Sequence, residues 1–251
     1  MNIGGRKELF RSLVGSHNYN LNTPESDRDY KIFVLPTFDD LYFNKQFSKS
    51  IVGDIEDFDI HDIREVSTKL WWKANVNFLE VLFSEDIKIN NDIWVYTETK
   101  ELIQAIFNMK DDIVKMNLPY LYDACVGMYY NKMKYLKKGT KNTKHLIETF
   151  GYDLKQALNG WRILDFLRRF ANTNFNNFKK AIWYEIDDNK RDFLLNIKSG
   201  QYLLNEYEEI IKDTLNDIET YWKPIYKNQK SNEETKEILT NLVKQIIKIN
   251  I

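Results

Sequence analysis

The spacing of apolar and polar positions changes near residue 100 of this 251-residue chain. Before that point, short apolar runs are separated by residues that favour turns. Residues 30–35 and 55–60 fit β-strands, and residues 9–14 fit a strand or a short helix. Beyond it, apolar residues recur every three to four positions, on one face of a helix, as in Leu154, Ala157, Leu158, Trp161 and Leu164. The pattern predicts an α+β protein in which strands are followed by a helical region.

Some stretches are ambiguous or lie between these elements. Asp62 begins a helix-like pattern that Asn75 interrupts, and residues 78–83 fit a strand or a buried helix equally well. Residues 223–235 contain Pro224 and a polar run, which predicts a solvated connection before the last helix. The change of pattern divides the chain into two predicted domains, residues 1–98 and 99–251.

Composition limits the kind of protein. The hydrophobic share of 43% and the charged share of 29% are typical of a folded domain, so disorder is excluded as the general state. The 36 basic and 37 acidic residues nearly cancel, and net charge therefore gives no reason to expect nucleic-acid or membrane affinity. The single cysteine, Cys125, excludes an intrachain disulfide and a four-cysteine zinc site. We expect a cytoplasmic protein with no membrane partner, since no apolar run approaches the roughly 20 residues that span a bilayer and the N-terminus lacks the apolar block of a signal peptide.

Residues 15–29 contain the candidate chemistry. A Gly-Ser turn at Gly15 and Ser16 lets backbone amides approach a phosphate closely, and the serine hydroxyl adds a donor. Asp27 and Asp29 lie two positions apart at the start of a β-rich run, so strand alternation places both carboxylates on one face. Two such carboxylates bind a hard divalent cation together with phosphate oxygens. An isolated Asp-x-Asp is more often a solvated turn, and only its context favours a site.

The string Gly-Ser-x-x-Tyr-x-Leu-x-Thr-Pro-x-Ser-Asp-x-Asp at residues 15–29 resembles the DNA polymerase beta superfamily of nucleotidyltransferases. It is similar in particular to a bacterial and phage subfamily of predicted nucleotidyltransferases associated with RNA repair. Residues 75–83 and 151–162 resemble two later blocks of that subfamily, so the resemblance covers roughly residues 10–170. The chain departs from the pattern at Asn20, Val76 and Gln156, where the subfamily commonly has Gly, Pro and His.

The resemblance implies an N-terminal nucleotidyltransferase domain, with a small mixed sheet and helices, and a helical domain that completes a cleft. It implies two Mg²⁺ ions, or Mn²⁺, held by Asp27, Asp29 and a third carboxylate from a later strand. Asp59 has the expected apolar-acid-apolar setting and is our first choice, while Asp57 is the alternative.

Other residues have two interpretations each. Lys155 and Arg162 are seven positions apart on one helical face, where they would bind nucleotide phosphate or form a solvated basic edge. Glu80 fits a buried acid with a role or a carboxylate at a helix edge. His17 fits a surface histidine in a polar loop.

The predicted function is transfer of a nucleoside monophosphate from a nucleoside triphosphate such as ATP to an acceptor hydroxyl. An RNA end is the acceptor that the resemblance favours, and a protein hydroxyl, as in toxin-like nucleotidylation, or a small molecule are the alternatives. A non-catalytic nucleotide- or RNA-binding module of the same fold is the contrasting class. Intact Asp27 and Asp29 argue against that class, because binding alone does not need both carboxylates.

Overall fold

The computed structural model describes residues 3–92, 97–140 and 143–251, and it confirms the α+β class. The chain forms two compact units: residues 1–117 together with 231–251, and residues 118–230. The first unit contains the strands and the second is helical.

The sheet of the first unit is formed by β1 (Glu8–Val14), β2 (Arg28–Val34), β3 (Ser48–Ile51), β4 (Glu56–Asp62) and β5 (Ile87–Ile89). Their order across the sheet is β3-β4-β2-β1-β5. β2 and β4 are parallel, and the other neighbouring pairs are antiparallel. Tyr30 to Val34 of β2 are all buried, as expected for a central strand covered on both faces, whereas the edge strand β3 is largely exposed.

Helical elements cover the sheet and extend the first unit. The ambiguous residues 78–83 are helical: they continue from α3 into a 3₁₀ turn, Glu80–Phe83. Asp62 caps a 3₁₀ turn, Ile63–Glu65, which passes into a π-helical turn, Val66–Leu70. The α-helices are α1 (Ser16–Tyr19), α2 (Phe38–Tyr42), α3 (Val76–Leu79), α4 (Thr97–Asn108), α5 (Lys110–Lys115) and, much later, α13 (Glu233–Asn250).

The first unit differs from the predicted first domain, residues 1–98, chiefly because it also includes the last helix of the chain, α13. α13 packs against α4, and its apolar stripe Leu239, Val243 and Ile246 is buried. α4 buries Ile103 and Ile106. The apolar period of α13 predicted a helix with one buried face, but a period does not identify the partner of that face.

The second unit consists of helices arranged around α8. α8 packs on α6 and buries most of its residues between Trp161 and Ala171. The predicted connection at 223–235 is partly wrong, because Lys223–Lys227 is a short helix that buries Tyr226, whose hydroxyl donates to the Leu167 carbonyl at 2.9 Å. Pro224 favours the first turn of a helix, where its missing N–H costs nothing. The helices are α6 (Leu118–Leu136), α7 (Lys144–Phe150), α8 (Leu154–Asn172), α9 (Phe178–Ile182), α10 (Asn189–Lys198), α11 (Leu204–Asp217) and α12 (Lys223–Lys227), with a π-helical turn at Ile218–Trp222.

The single cysteine, Cys125, is buried in α6. None of the helices within the described ranges is long and apolar enough to cross a membrane.

A buried ion pair fixes α2 beyond the end of β2. Asp40 accepts hydrogen bonds from Arg6 Nε at 2.8 Å and Nη2 at 2.6 Å, and it also forms a capping box with Thr37. Burial opposes ionisation of Asp40, but the bonds from Arg6 and Thr37 prevail and lower its pKa to about 2. Because the pKa of an unfolded aspartate is about 3.9, the stabilisation is complete above about pH 4 and is lost as the pH falls through the folded-state pKa.

We expect Asp40→Asn to lower the free energy of unfolding by about 2 kcal/mol at pH 7, because the lowered pKa stabilises the charged form by about 1.4 kcal/mol per unit. The variant should also lose much of the acid dependence of stability below pH 4. Urea unfolding between pH 2 and 7 measures both effects. Asp39→Asn, on the exposed side of the same helix, is the control. An unchanged acid dependence in Asp40→Asn would contradict the assignment.

Candidate active site

The Gly15-Ser16 turn follows β1 directly. Gly15 has φ 73° and ψ −146°, a conformation that residues with a Cβ rarely adopt, and it precedes the short helix α1. Asn20 ends α1 in the left-handed conformation, with φ 59°. Glycine and asparagine are the residues that tolerate this conformation, so Asn20 allows α1 to end here as a glycine would.

Asp29 lies against this turn. It is the second residue of β2 and pairs with Val14, the last residue of β1. A Cβ on Gly15 would lie 2.5 Å from Asp29 Oδ2, so only glycine leaves room for the carboxylate. Asp27 is exposed and lies one position before β2 begins. Chain reversal between β1 and β2 therefore brings Gly15, Ser16, Asp27 and Asp29 to the same end of the sheet.

The register of β4 decides which later carboxylate faces Asp29. β2 and β4 are parallel, with Asp29 opposite Asp57 and Lys31 opposite Asp59. Residues opposite each other on neighbouring strands point to the same face and their strands are about 4.8 Å apart. Asp57 is the direct neighbour of Asp29, and its Oδ1 accepts the Gly53 N–H at 3.1 Å. Of the two candidates that the sequence left open, Asp57 is the better placed beside Asp29.

Asp59 instead belongs to a network further along the strand. Its Oδ2 lies 2.7 Å from Lys31 Nζ and 2.9 Å from His61 Nε2, and Ser50 donates to its Oδ1 at 3.2 Å. Burial raises the pKa of Asp59, but the hydrogen bond from His61 and the charge of Lys31 outweigh it and hold the pKa well below its usual range. Asp59 is therefore an anion whose charge Lys31 largely neutralises.

Lys31 forms the ion pair with Asp59, and the sequence analysis did not predict a role for it. Its side chain is buried, and Nζ lies 4.3 Å from the centroid of the Phe78 ring as well as beside Asp59. The available signal was a lysine inside the apolar run 30–35, since a lysine is almost never buried without a partner.

The residues at this end of the sheet fit a magnesium ion only in part. Carboxylate oxygens of Asp27, Asp29 and Asp57 are the donors that a hard cation prefers. Across the described ranges, however, no three acidic, histidine or cysteine side chains are arranged to hold a metal by themselves. Magnesium is commonly bound through one or two carboxylates together with substrate phosphates and water. The donor set suits an ion that enters with a nucleotide.

Glu80 is a buried acid, one of its two predicted interpretations, and it lies against the Gly15 turn. Asn75 caps α3 by accepting the Asn77 N–H at 3.0 Å, and the 3₁₀ turn that follows α3 presents Glu80. Oε2 of Glu80 accepts the Gly15 N–H at 3.1 Å. Residues 75–83 thus support the turn through a residue that lies 65 positions away along the chain.

His17 and the basic pair Lys155 and Arg162 have other surroundings. His17 is half-buried, and its Nε2 lies 3.4 Å from the Ser26 carbonyl oxygen in the loop before Asp27. Lys155 and Arg162 are in α8 of the second unit, where Lys155 is exposed and Arg162 is buried. Burial lowers the pKa of Lys132, and the charge of Arg162 lowers it further, so two cations lie close together there. The phosphate-binding role of Lys155 and Arg162 stays a prediction.

No protein-family model matches the chain, and no curated protein matches it.

Proposed function

We propose that this protein is a magnesium-dependent nucleotidyltransferase, which transfers a nucleoside monophosphate from a nucleoside triphosphate to an acceptor hydroxyl. The observation that supports this most is the contact between the Gly15 turn and Asp29, where the carboxylate occupies the space of a missing Cβ. A phosphate-binding turn and a metal-binding carboxylate need to be this close, because Asp29 would hold a cation that neutralises charge on the triphosphate.

Each residue has a role in the proposal. Ser16 donates to the triphosphate, while the Gly15 N–H is bonded to Glu80, and Asp27, Asp29 and a carboxylate of β4 would hold the cation. When bound, magnesium neutralises charge on the phosphates and lowers the barrier to displacement of pyrophosphate. The protein itself aligns the acceptor oxygen with the α-phosphorus, and this alignment supplies much of the rate enhancement in such reactions.

The acceptor that we propose is an RNA end, on the strength of the sequence resemblance, and the compartment is the cytoplasm. With a triphosphate labelled on its α-phosphate, the labelled nucleoside monophosphate should be transferred to an RNA oligonucleotide, with release of pyrophosphate, in Mg²⁺ and not in excess chelator. A protein and a small-molecule panel tested in parallel distinguish the other acceptors. Calorimetric binding of the triphosphate that is equally tight with Mg²⁺ and with chelator, together with no transfer, would leave a binding module of the same fold.

Asp57→Asn and Asp59→Asn should have different consequences. We expect Asp57→Asn to lower kcat/KM about 10²- to 10³-fold with little change in stability, because a metal ligand contributes several kcal/mol at about 1.4 kcal/mol per tenfold. Asp59→Asn should lower the melting temperature and reduce transfer less, because it removes the anion beside buried Lys31. Steady-state kinetics and thermal unfolding of both variants measure this.

The opposite pattern, with transfer lost in Asp59→Asn and retained in Asp57→Asn, would return the third carboxylate to Asp59. Lys31→Met distinguishes a role of Asp59 as a metal ligand from its role as the partner of Lys31. The variant removes the cation but keeps an unbranched side chain of similar length, so it should release Asp59 from its ion pair without removing any carboxylate.

A further inference from the structure

Glu80 places a buried carboxyl group against one short turn. Its side chain is 1% exposed, and its carboxylate contacts three donors. Oε2 accepts the Gly15 N–H at 3.1 Å and Asn18 Nδ2 at 3.2 Å, and Oε1 accepts the Tyr19 hydroxyl. Asn18 Nδ2 also lies 3.3 Å from the Glu80 carbonyl oxygen. All three donors come from residues 15–19.

This arrangement couples Glu80 to the conformation of the turn. A buried carboxyl group must exchange its hydrogen bonds to water for hydrogen bonds within the protein. If the turn moved, the three hydrogen bonds from Gly15, Asn18 and Tyr19 would be lost together. Glu80 therefore favours the conformation of the turn in which all three are formed.

The conformation that Glu80 favours is the one that fits Asp29. Gly15 donates its N–H to Glu80, and a Cβ at Gly15 would lie 2.5 Å from Asp29 Oδ2. Gly15 is thus held between a buried carboxylate and a more exposed one. A shift of the Gly15 backbone would change the distance between the turn and Asp29. In the proposed site, the triphosphate at the turn and the cation that Asp29 would hold depend on this distance.

We propose that Glu80 is a positioning residue for the triphosphate: through Gly15, Asn18 and Tyr19 it sets the place of the turn relative to Asp29. This inference rests on the proposed nucleotidyltransferase function and specifies how its nucleotide subsite is held. Glu80 does not itself contact the nucleotide, because its carboxylate is occupied by the turn. Its effect should therefore be seen in nucleotide affinity and turnover and not in recognition of the acceptor.

Glu80→Gln tests the role. Glutamine keeps the size of the side chain but replaces one acceptor oxygen with an NH₂ group. That NH₂ group would face the donors of the turn and could not accept their hydrogen bonds. We expect weaker calorimetric binding of Mg²⁺-ATP and a kcat/KM lowered by about 10²-fold, the effect of a displacement of roughly 1 Å at a reacting centre. The KM for the RNA acceptor should stay as in the wild type. Tyr19→Phe, which deletes one donor and keeps the ring, should act in the same direction and more weakly.

Asp40→Asn is the matched control for loss of stability. It also neutralises a buried carboxylate of the first unit, but one whose partner is Arg6 and not the turn. It should lower the melting temperature and leave Mg²⁺-ATP affinity and kcat/KM unchanged. If Glu80→Gln lowers stability alone, as Asp40→Asn does, the positioning role is overturned.

The outcomes separate this inference from the proposed function. A wild-type protein that transfers nucleotide, with Glu80→Gln and Tyr19→Phe unchanged in Mg²⁺-ATP affinity, overturns the inference and leaves the function standing. A wild-type protein that neither binds Mg²⁺-ATP nor transfers nucleotide overturns the function, and the inference with it. Should Glu80→Gln fail to fold, Tyr19→Phe decides: unchanged Mg²⁺-ATP affinity in that variant overturns the positioning role.

Discussion

A variant with asparagine in place of both Asp27 and Asp29 is expected to transfer no detectable nucleotide to any acceptor. Asparagine preserves the shape of the side chain and much of its hydrogen bonding, but it removes two negative charges from the cation site. The contribution of a bound metal to such a reaction is several kcal/mol, so the rate should fall by at least about 10³-fold.

The same variant should keep its fold, and its stability should respond differently to ligand. Asp29 faces Asp57 across the strand pair, and Asp27 lies close by in sequence, so carboxylates repel one another at this end of the sheet. Functional sites commonly reduce stability in this way. We therefore expect an unchanged or raised melting temperature in chelator. Mg²⁺-ATP should raise the melting temperature of the wild type only, since a ligand stabilises the state that binds it.

Asp54→Asn is the control for this experiment. Asp54 is an exposed carboxylate in the turn between β3 and β4, and its replacement changes charge without touching β2. It should transfer nucleotide as the wild type does. A double variant that retains transfer would exclude Asp27 and Asp29 as metal ligands and would overturn the enzymatic proposal.

Gly15→Ala is expected to impair both folding and transfer. The added Cβ would lie 2.5 Å from Asp29 Oδ2, and the backbone conformation at φ 73° and ψ −146° is strained for any residue with a Cβ. Such strain costs about 1–3 kcal/mol. Relief of the clash must displace the carboxylate or the turn, and a shift of about 1 Å there should lower kcat/KM about 10²-fold.

Gly5→Ala separates strain from displacement. Gly5 also has a positive φ, 75°, but a Cβ at that position would meet no atom within 4 Å. Its replacement should therefore lower stability by about 1–2 kcal/mol and leave transfer intact. Thermal unfolding and steady-state kinetics of the two alanine variants give the comparison. Equal transfer by Gly15→Ala and wild type would show that the contact with Asp29 has no part in the reaction.

The sequence by itself determined the elements whose signals are local. Strand alternation and flanking turn residues predicted β2 and β4, and the three-to-four spacing predicted α4, α8, α11 and α13. The pattern at 15–29 placed Gly15 and Ser16 in a turn and Asp27 and Asp29 at the start of a strand, and β2 begins between the two aspartates, at Arg28. These predictions succeeded because each depends on residues within one element or one loop, where backbone geometry fixes the direction of the side chains.

Tertiary structure alone decided which distant residues meet. Strand alternation puts Asp57 and Asp59 on the same face, so only the parallel register with β2 shows that Asp57 faces Asp29 while Asp59 pairs with Lys31. Likewise, the apolar face of α13 predicted burial but not its return to the first unit.

The contact of Glu80 with Gly15 has the same origin. The sequence marked Glu80 as an acid in an apolar block, which left a buried role and a helix edge equally open. Its donors are 61 to 65 residues away along the chain. Contacts over such separations depend on the packing of the whole unit, because the register of a sheet and the position of a helix on it together determine how much apolar surface is buried. The local pattern of apolar residues does not predict these contacts, because it shows which face of an element is buried and not which element covers that face.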